Sequence, residues 1–124
     1  IRIPLTAALA SLLVLLAACV DEARPSGCDG EAVEVRIQLD ASSMTPADPS
    51  VCRGQQVTLV VESAIDADFD LHGYDDAVPS TTLAAGESTT IEFLAERAGQ
   101  FPIEIHPADG SEAVEVGIFT VNVP

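Results

Sequence analysis

From Val33 onward the sequence repeats with a period of two, and few properties narrow the choice of fold as sharply. Val33, Val35, Ile37 and Leu39 alternate with Glu34, Arg36, Gln38 and Asp40. Successive side chains of a strand point to opposite faces, so this segment is a strand with one apolar and one wet face. The same alternation returns in Val57, Leu59 and Val61, in Phe69 and Leu71, in Thr89, Ile91 and Phe93, and in Phe101, Ile103 and Ile105. The last stretch runs Val114, Val116, Ile118 and then Phe119, Val121, Val123. Its parity changes between Ile118 and Phe119, which predicts a β-bulge or break there. Turn signals separate the runs: Pro46 and Pro49 make 44–49 a connection, and Gly54, Gly73, Gly86 and Gly99 each precede or end an alternating stretch. No window supports a substantial helix. Short strands over about 90 residues predict an all-β sandwich for 33–124.

The first residues obey a different rule. Arg2 is the single charge ahead of an apolar run from Leu5 to Ala18. That run is short for a permanent span and suits the apolar region of an export signal. It ends in Leu16-Ala17-Ala18-Cys19, which resembles the lipobox of bacterial lipoproteins. The resemblance implies a signal peptide over 1–18, cleavage before Cys19, and a lipid on the Cys19 sulfur. The protein would then sit in the bacterial cell envelope, anchored to the membrane on its extracytoplasmic face. Buried acyl methylenes would hold it at about 0.8 kcal/mol each. Residues 19–32 are polar and turn-rich and read as a short linker.

With Cys19 assigned to the lipid, Cys28 and Cys52 remain as a pair in an oxidising compartment, where a disulfide persists. The other reading is two free thiols open to metal. If Cys28 is bridged, the free tether spans at most roughly 30 Å.

Charge excludes one class of function. The chain has no Lys, and Arg24, Arg36, Arg53 and Arg97 are the only cations after the signal, against 20 acidic residues, so that part carries 4 − 20 = −16. Such a field repels nucleic acid and favours cations or basic partners. It also suits a soluble monomer.

Several segments in order resemble a cupredoxin-like domain. Met44-Thr45-Pro46 is followed by Val51-Cys52-Arg53-Gly54 and the strand to Leu59. Next come Asp70-Leu71-His72-Gly73-Tyr74-Asp75, then Ala85-Gly86-Glu87 and the strand to Phe93. Ala98-Gly99-Gln100-Phe101, Glu104-Ile105-His106 and Phe119-Thr120-Val121-Asn122-Val123 complete the series. The resemblance implies a Greek-key β-sandwich with a copper site at one end. One His would come from an early loop, and a Cys, a His and usually a Met from the loop before the last strand. By position His72 matches the early His and His106 the late one, which places the turns after Leu71 and Ile105 at the same end. Gly73 would release the backbone and let His72 turn inward. From Phe101 onward there is no Cys and no Met, so a blue thiolate centre is excluded on chemical grounds.

Two imidazoles with carboxylates at Asp70, Glu104 and Asp109 can still hold Cu(II) or Zn(II) without sulfur. The site expected from the sequence is therefore His72, His106 and Glu104 around copper. Against it stands the reading of both histidines as surface residues of polar strand faces, in a metal-free Ig-like module that binds another protein. Asp66, Asp68 and Asp70 alternate as at the start of a calcium loop, but the later Gly and Glu of that loop are missing, which leaves a solvated face. No Gly-x-Ser-x-Gly elbow or phosphate loop is present, so no enzyme activity is expected.

Overall fold

The computed structural model describes residues 27–124, and the signal and Cys19 lie outside them. The described chain holds nine strands and no helix: β1 Ala32–Leu39, β2 Met44–Thr45, β3 Ser50–Cys52, β4 Gln56–Ser63, β5 Ala67–Leu71, β6 Thr81–Leu83, β7 Ser88–Leu94, β8 Gly99–Pro107 and β9 Val114–Asn122. They form two sheets, ordered β2-β1-β4-β7 and β3-β9-β8-β5-β6. β1 with β4 and β3 with β9 are parallel; the other pairs are antiparallel.

The alternation dictates which face each strand buries. Ile37, Leu39, Val57, Leu59, Val61, Ile91 and Phe93 of the first sheet meet Phe69, Leu71, Ile103, Ile105, Phe119 and Val121 of the second. Each fully buried side chain of this kind contributes about 1.5–3 kcal/mol. This is the all-β sandwich that the alternation predicts.

The last strand differs in detail from the expectation. Ile103 pairs with Gly117 but Glu104 pairs with Glu115, so Val116 is the extra residue and the bulge precedes Ile118. Gly117 has a steric reason to be there, since a Cβ at this position would lie 2.7 Å from the Ala47 carbonyl oxygen. The connection 44–49 also contains β2, hydrogen-bonded to β1.

Cys28 and Cys52 form a disulfide with Cα atoms 5.3 Å apart, which removes them as thiol ligands. Beside it the buried Gln55 accepts the Cys52 N–H at 2.8 Å and donates to the carbonyls of Gly27 at 2.9 Å and Gly30 at 3.3 Å. Residues 27–31, read from sequence as linker, are therefore strapped to the sandwich. They lie at the end where β1 and β4 begin and β5 finishes.

Candidate metal centre

β5 and β8 run antiparallel, with Asp70 opposite Glu104 and Asp68 opposite His106. Phe69, Leu71, Ile103 and Ile105 point inward, so Asp70, Glu104 and His106 stand on the outer face. His72 continues that face just past the end of β5, where its N–H donates to the Pro102 carbonyl at 3.0 Å. Residues diagonal across an antiparallel pair can touch through long side chains. Here His106 Nε2 lies 3.1 Å from Asp70 Oδ2 and 3.1 Å from Glu104 Oε1. His72 Nε2 lies 3.3 Å from Glu104 Oε2. One carboxylate thus spans both imidazoles. Asp70 and Glu104 are mostly shielded, whereas the imidazoles are about half exposed.

The electrostatics follow from the register. Two carboxylates placed directly opposite repel each other, and His106 sits against both. A proton or a metal ion on this nitrogen side relieves that repulsion. The donor set, two imidazole nitrogens and two carboxylates, suits Cu(II) or Zn(II). Among the described residues no three such groups stand in a ready-made metal geometry, so an ion would have to draw the side chains inward.

The position of the cluster corrects the expectation from the resemblance. His106 lies inside β8, not in the loop after it. Because β5 and β8 are antiparallel, the turn after Leu71 and the turn after Ile105 are at opposite ends. Nor does His72 turn inward: a Cβ at Gly73 would come within 2.6 Å of Phe101 Cδ1, and that ring fills the space beneath the turn. The end of the sandwich that does hold the loop before the last strand carries a shallow recess of about 520 Å³, lined by Ile65, Asp66, Pro107, Asp109, Ser111 and Val114 among others. Its lining includes no His, Cys or Met, so its donors do not fit a copper centre of the expected kind. Asp109 is turned to Ser111, whose hydroxyl and N–H hold its carboxyl below the usual carboxylate range. It is not part of the His cluster.

The acidic strand residues each have a local role. Asp66 accepts the Ala85 N–H at 2.8 Å and Asp68 accepts the Thr82 hydroxyl at 2.9 Å. Asp70, named from sequence only as a nearby carboxylate, proves to be a full member of the cluster. Its parity with Glu104 was readable; its pairing with β8 was not.

Tyr74 fixes the turn that carries His72. Its ring is buried edge-on against Phe93 and Phe101, with centroids at 5.4 and 4.6 Å. Its hydroxyl donates to the Arg97 carbonyl at 2.7 Å and accepts the Arg97 N–H at 3.0 Å. This side chain is a positioning element that sequence reading noted only within a motif.

By sequence, no family model matches the chain and no curated protein matches it. Solved structures do. Auracyanin from the photosynthetic bacterium Roseiflexus castenholzii superposes with a TM-score of 0.54 at 21% identity, covering 75% of this chain and 99% of that one. Auracyanin A, a "blue" copper protein from Chloroflexus aurantiacus, gives 0.56 at 16% identity, covering 73% and 99%. A chain of a heme-copper terminal oxidase dimer gives 0.61 at 15% identity, covering 74% of this chain and 65% of that one, so the present chain spans about two thirds of its length. The described domain has the cupredoxin-like fold. At these identities the likeness speaks for the fold alone.

Proposed function

We propose that the chain is the precursor of a bacterial envelope lipoprotein, held to the membrane by a lipid on Cys19, whose domain takes up Cu(II) on the outer face of its five-stranded sheet. His106 and Glu104 are the principal ligands, Asp70 assists, and His72 completes the set through the second oxygen of Glu104. The observation that carries this reading is the single carboxylate shared by two imidazoles. Two ligands each about 2.1 Å from one ion stand about 3.0 Å apart at the square-planar angle that suits Cu(II) and about 3.4 Å at a tetrahedral one, a range that brackets the spacings of the cluster. The copper-related fold supports the choice of metal, and the −16 charge supports uptake of a cation. The bound ion would supply a fixed positive charge between Asp70 and Glu104, while the chain's part is to hold the imidazoles on the outer face beside those carboxylates.

The test is a Cu(II) titration of the exported protein followed by paramagnetic resonance. Nitrogen hyperfine structure is expected without an intense thiolate band, because the described cysteines are disulfide-bonded. His106→Ala and Glu104→Gln should each weaken binding by about tenfold or more, the scale of one lost ligand or close partner. Acidification should weaken it too, since only neutral imidazole ligates. The absence of any nitrogen-coupled signal would favour a second reading, a metal-free interaction module in which imidazole–carboxylate contacts hold the cluster together. That reading draws on the lack of a ready-made metal geometry.

A further inference from the structure

The two sheets have four edges, and their lengths are unequal. β2, β3 and β6 run for two or three residues each, whereas β7 runs for seven. Short edge strands are a common defence against unwanted pairing, along with Lys, Pro and bulges. β7, Ser88-Thr-Thr-Ile-Glu-Phe-Leu94, contains no Lys and no Pro, and its ladder to β4 is regular from Glu62↔Ser88 to Gln56↔Leu94. In an antiparallel ladder the hydrogen-bonded pairs alternate. The Ala95 N–H bonds to the Gln55 carbonyl at 2.9 Å and the Ser63 N–H to that of Glu87 at 3.4 Å. Thr89, Ile91 and Phe93 therefore face β4 with their backbone groups, and those of Ser88, Thr90 and Glu92 point away from the sheet. No other segment among the described residues reaches these three residues through a backbone bond.

The side chains beside this edge define what could lie there. Ser88, Thr90, Glu92 and Leu94 are exposed on the outer face. Leu94, 41% exposed, is one of two large apolar side chains left open on the described surface. Glu62 and Glu92 bring negative charge to the face, and its one cation, Arg36, is held by Glu34 at 2.8 Å. A second copy of this chain would bring another strongly negative surface to the same place. We propose that the free edge of β7 is a docking site for an extended, basic segment of another protein, which adds as an antiparallel strand. Its residue opposite Leu94 is apolar, the one opposite Glu92 is Lys or Arg, and the one opposite Thr90 is Thr or Val. Backbone bonds give the affinity and the Lys–Glu92 pair gives the direction. The inference is independent of the metal reading, since β7 lies in the other sheet.

The experiment uses the full chain in detergent and three synthetic peptides: Ac-Thr-Leu-Thr-Lys-Val-Thr-Val-Lys-amide, the same peptide with both Lys replaced by Glu, and the Lys peptide with alternate amides N-methylated. Titration calorimetry is paired with residue-resolved hydrogen exchange. The Lys peptide should bind, more weakly at high salt, and slow exchange at the amides of Ser88, Thr90 and Glu92. The Glu and N-methylated peptides should bind at least about tenfold more weakly. Thr90→Pro removes one outward N–H, a change tolerated on an edge strand, and should lower affinity with little change in melting. Should that variant unfold, Glu92→Lys serves instead, and it should reverse the preference between the Lys and Glu peptides. Equal binding of Lys and Glu peptides, no slowing at the three amides, or a concentration-dependent dimer protected along β7 would each overturn the proposal.

Discussion

Replacing both Cys28 and Cys52 with alanine removes the covalent link between the leading segment and the sandwich while leaving no unpaired thiol. The bridge joins residues 24 apart in sequence. A cross-link closing a loop of about 25 residues restricts the unfolded chain by about 3.5 kcal/mol in the chain-entropy treatment. Both cysteines are buried, at 6% and 2% exposure, so truncation also loses packing, about 1 kcal/mol more. The expected loss is about 4.5 kcal/mol, which for a domain of about 100 residues lowers Tm by about 18–36 °C. Urea unfolding followed by circular dichroism measures it. Because most of the effect acts on the unfolded state, the m-value should rise in the variant as the released chain exposes more surface. The Cu(II) signal should be unchanged at temperatures where the variant is folded, since the His cluster shares no hydrogen bond with the bridge. A loss under about 1 kcal/mol with an unchanged m-value would refute the loop-entropy argument.

Two further changes probe other parts of the reading. Gly73→Ala forces a side chain into a backbone with φ of 93° and into the Phe101 ring, and should cost about 1–3 kcal/mol by urea denaturation, with His72 displaced and copper affinity reduced. Cys19→Ser, expressed in bacteria with the signal intact, should abolish palmitate labelling and detergent partitioning; labelling that persists would place the lipid elsewhere.

What was legible in the sequence follows from how each strand is held. β1, β4, β5, β7, β8 and β9 bury one face, and burial writes a period of two into their residues. β2, β3 and β6 are edge strands of two or three residues, too short for a period, and exist through the ladders of their neighbours. The bulge in β9 was legible as a change of parity but displaced, because Gly117 contributes no side chain to the pattern. The His cluster was legible in its chemistry, since His72, Glu104 and His106 share the polar parity. Its place was not. Parity assigns a face, whereas the antiparallel register of β5 on β8 decides which residues meet, and no feature of either segment alone encodes that register. The cupredoxin-like order of segments gave the correct fold and the wrong end, since the donors that remain in this chain lie on the sheet and not in the loop.

The place of β9 has a consequence for how the chain reaches this fold. It lies between β3 and β8, paired parallel to one and antiparallel to the other, and is the last of the nine described strands in chain order. Without it, β3 has no partner and one edge of β8 stays unpaired. The parallel β1–β4 pair can form earlier, but its apolar side then waits for the second sheet. Such long-range pairings make folding slow and expose sticky surface meanwhile. Chains ending before residue 114 should therefore remain open to protease and bound by holding chaperones, and protection should appear in one step once β9 is present.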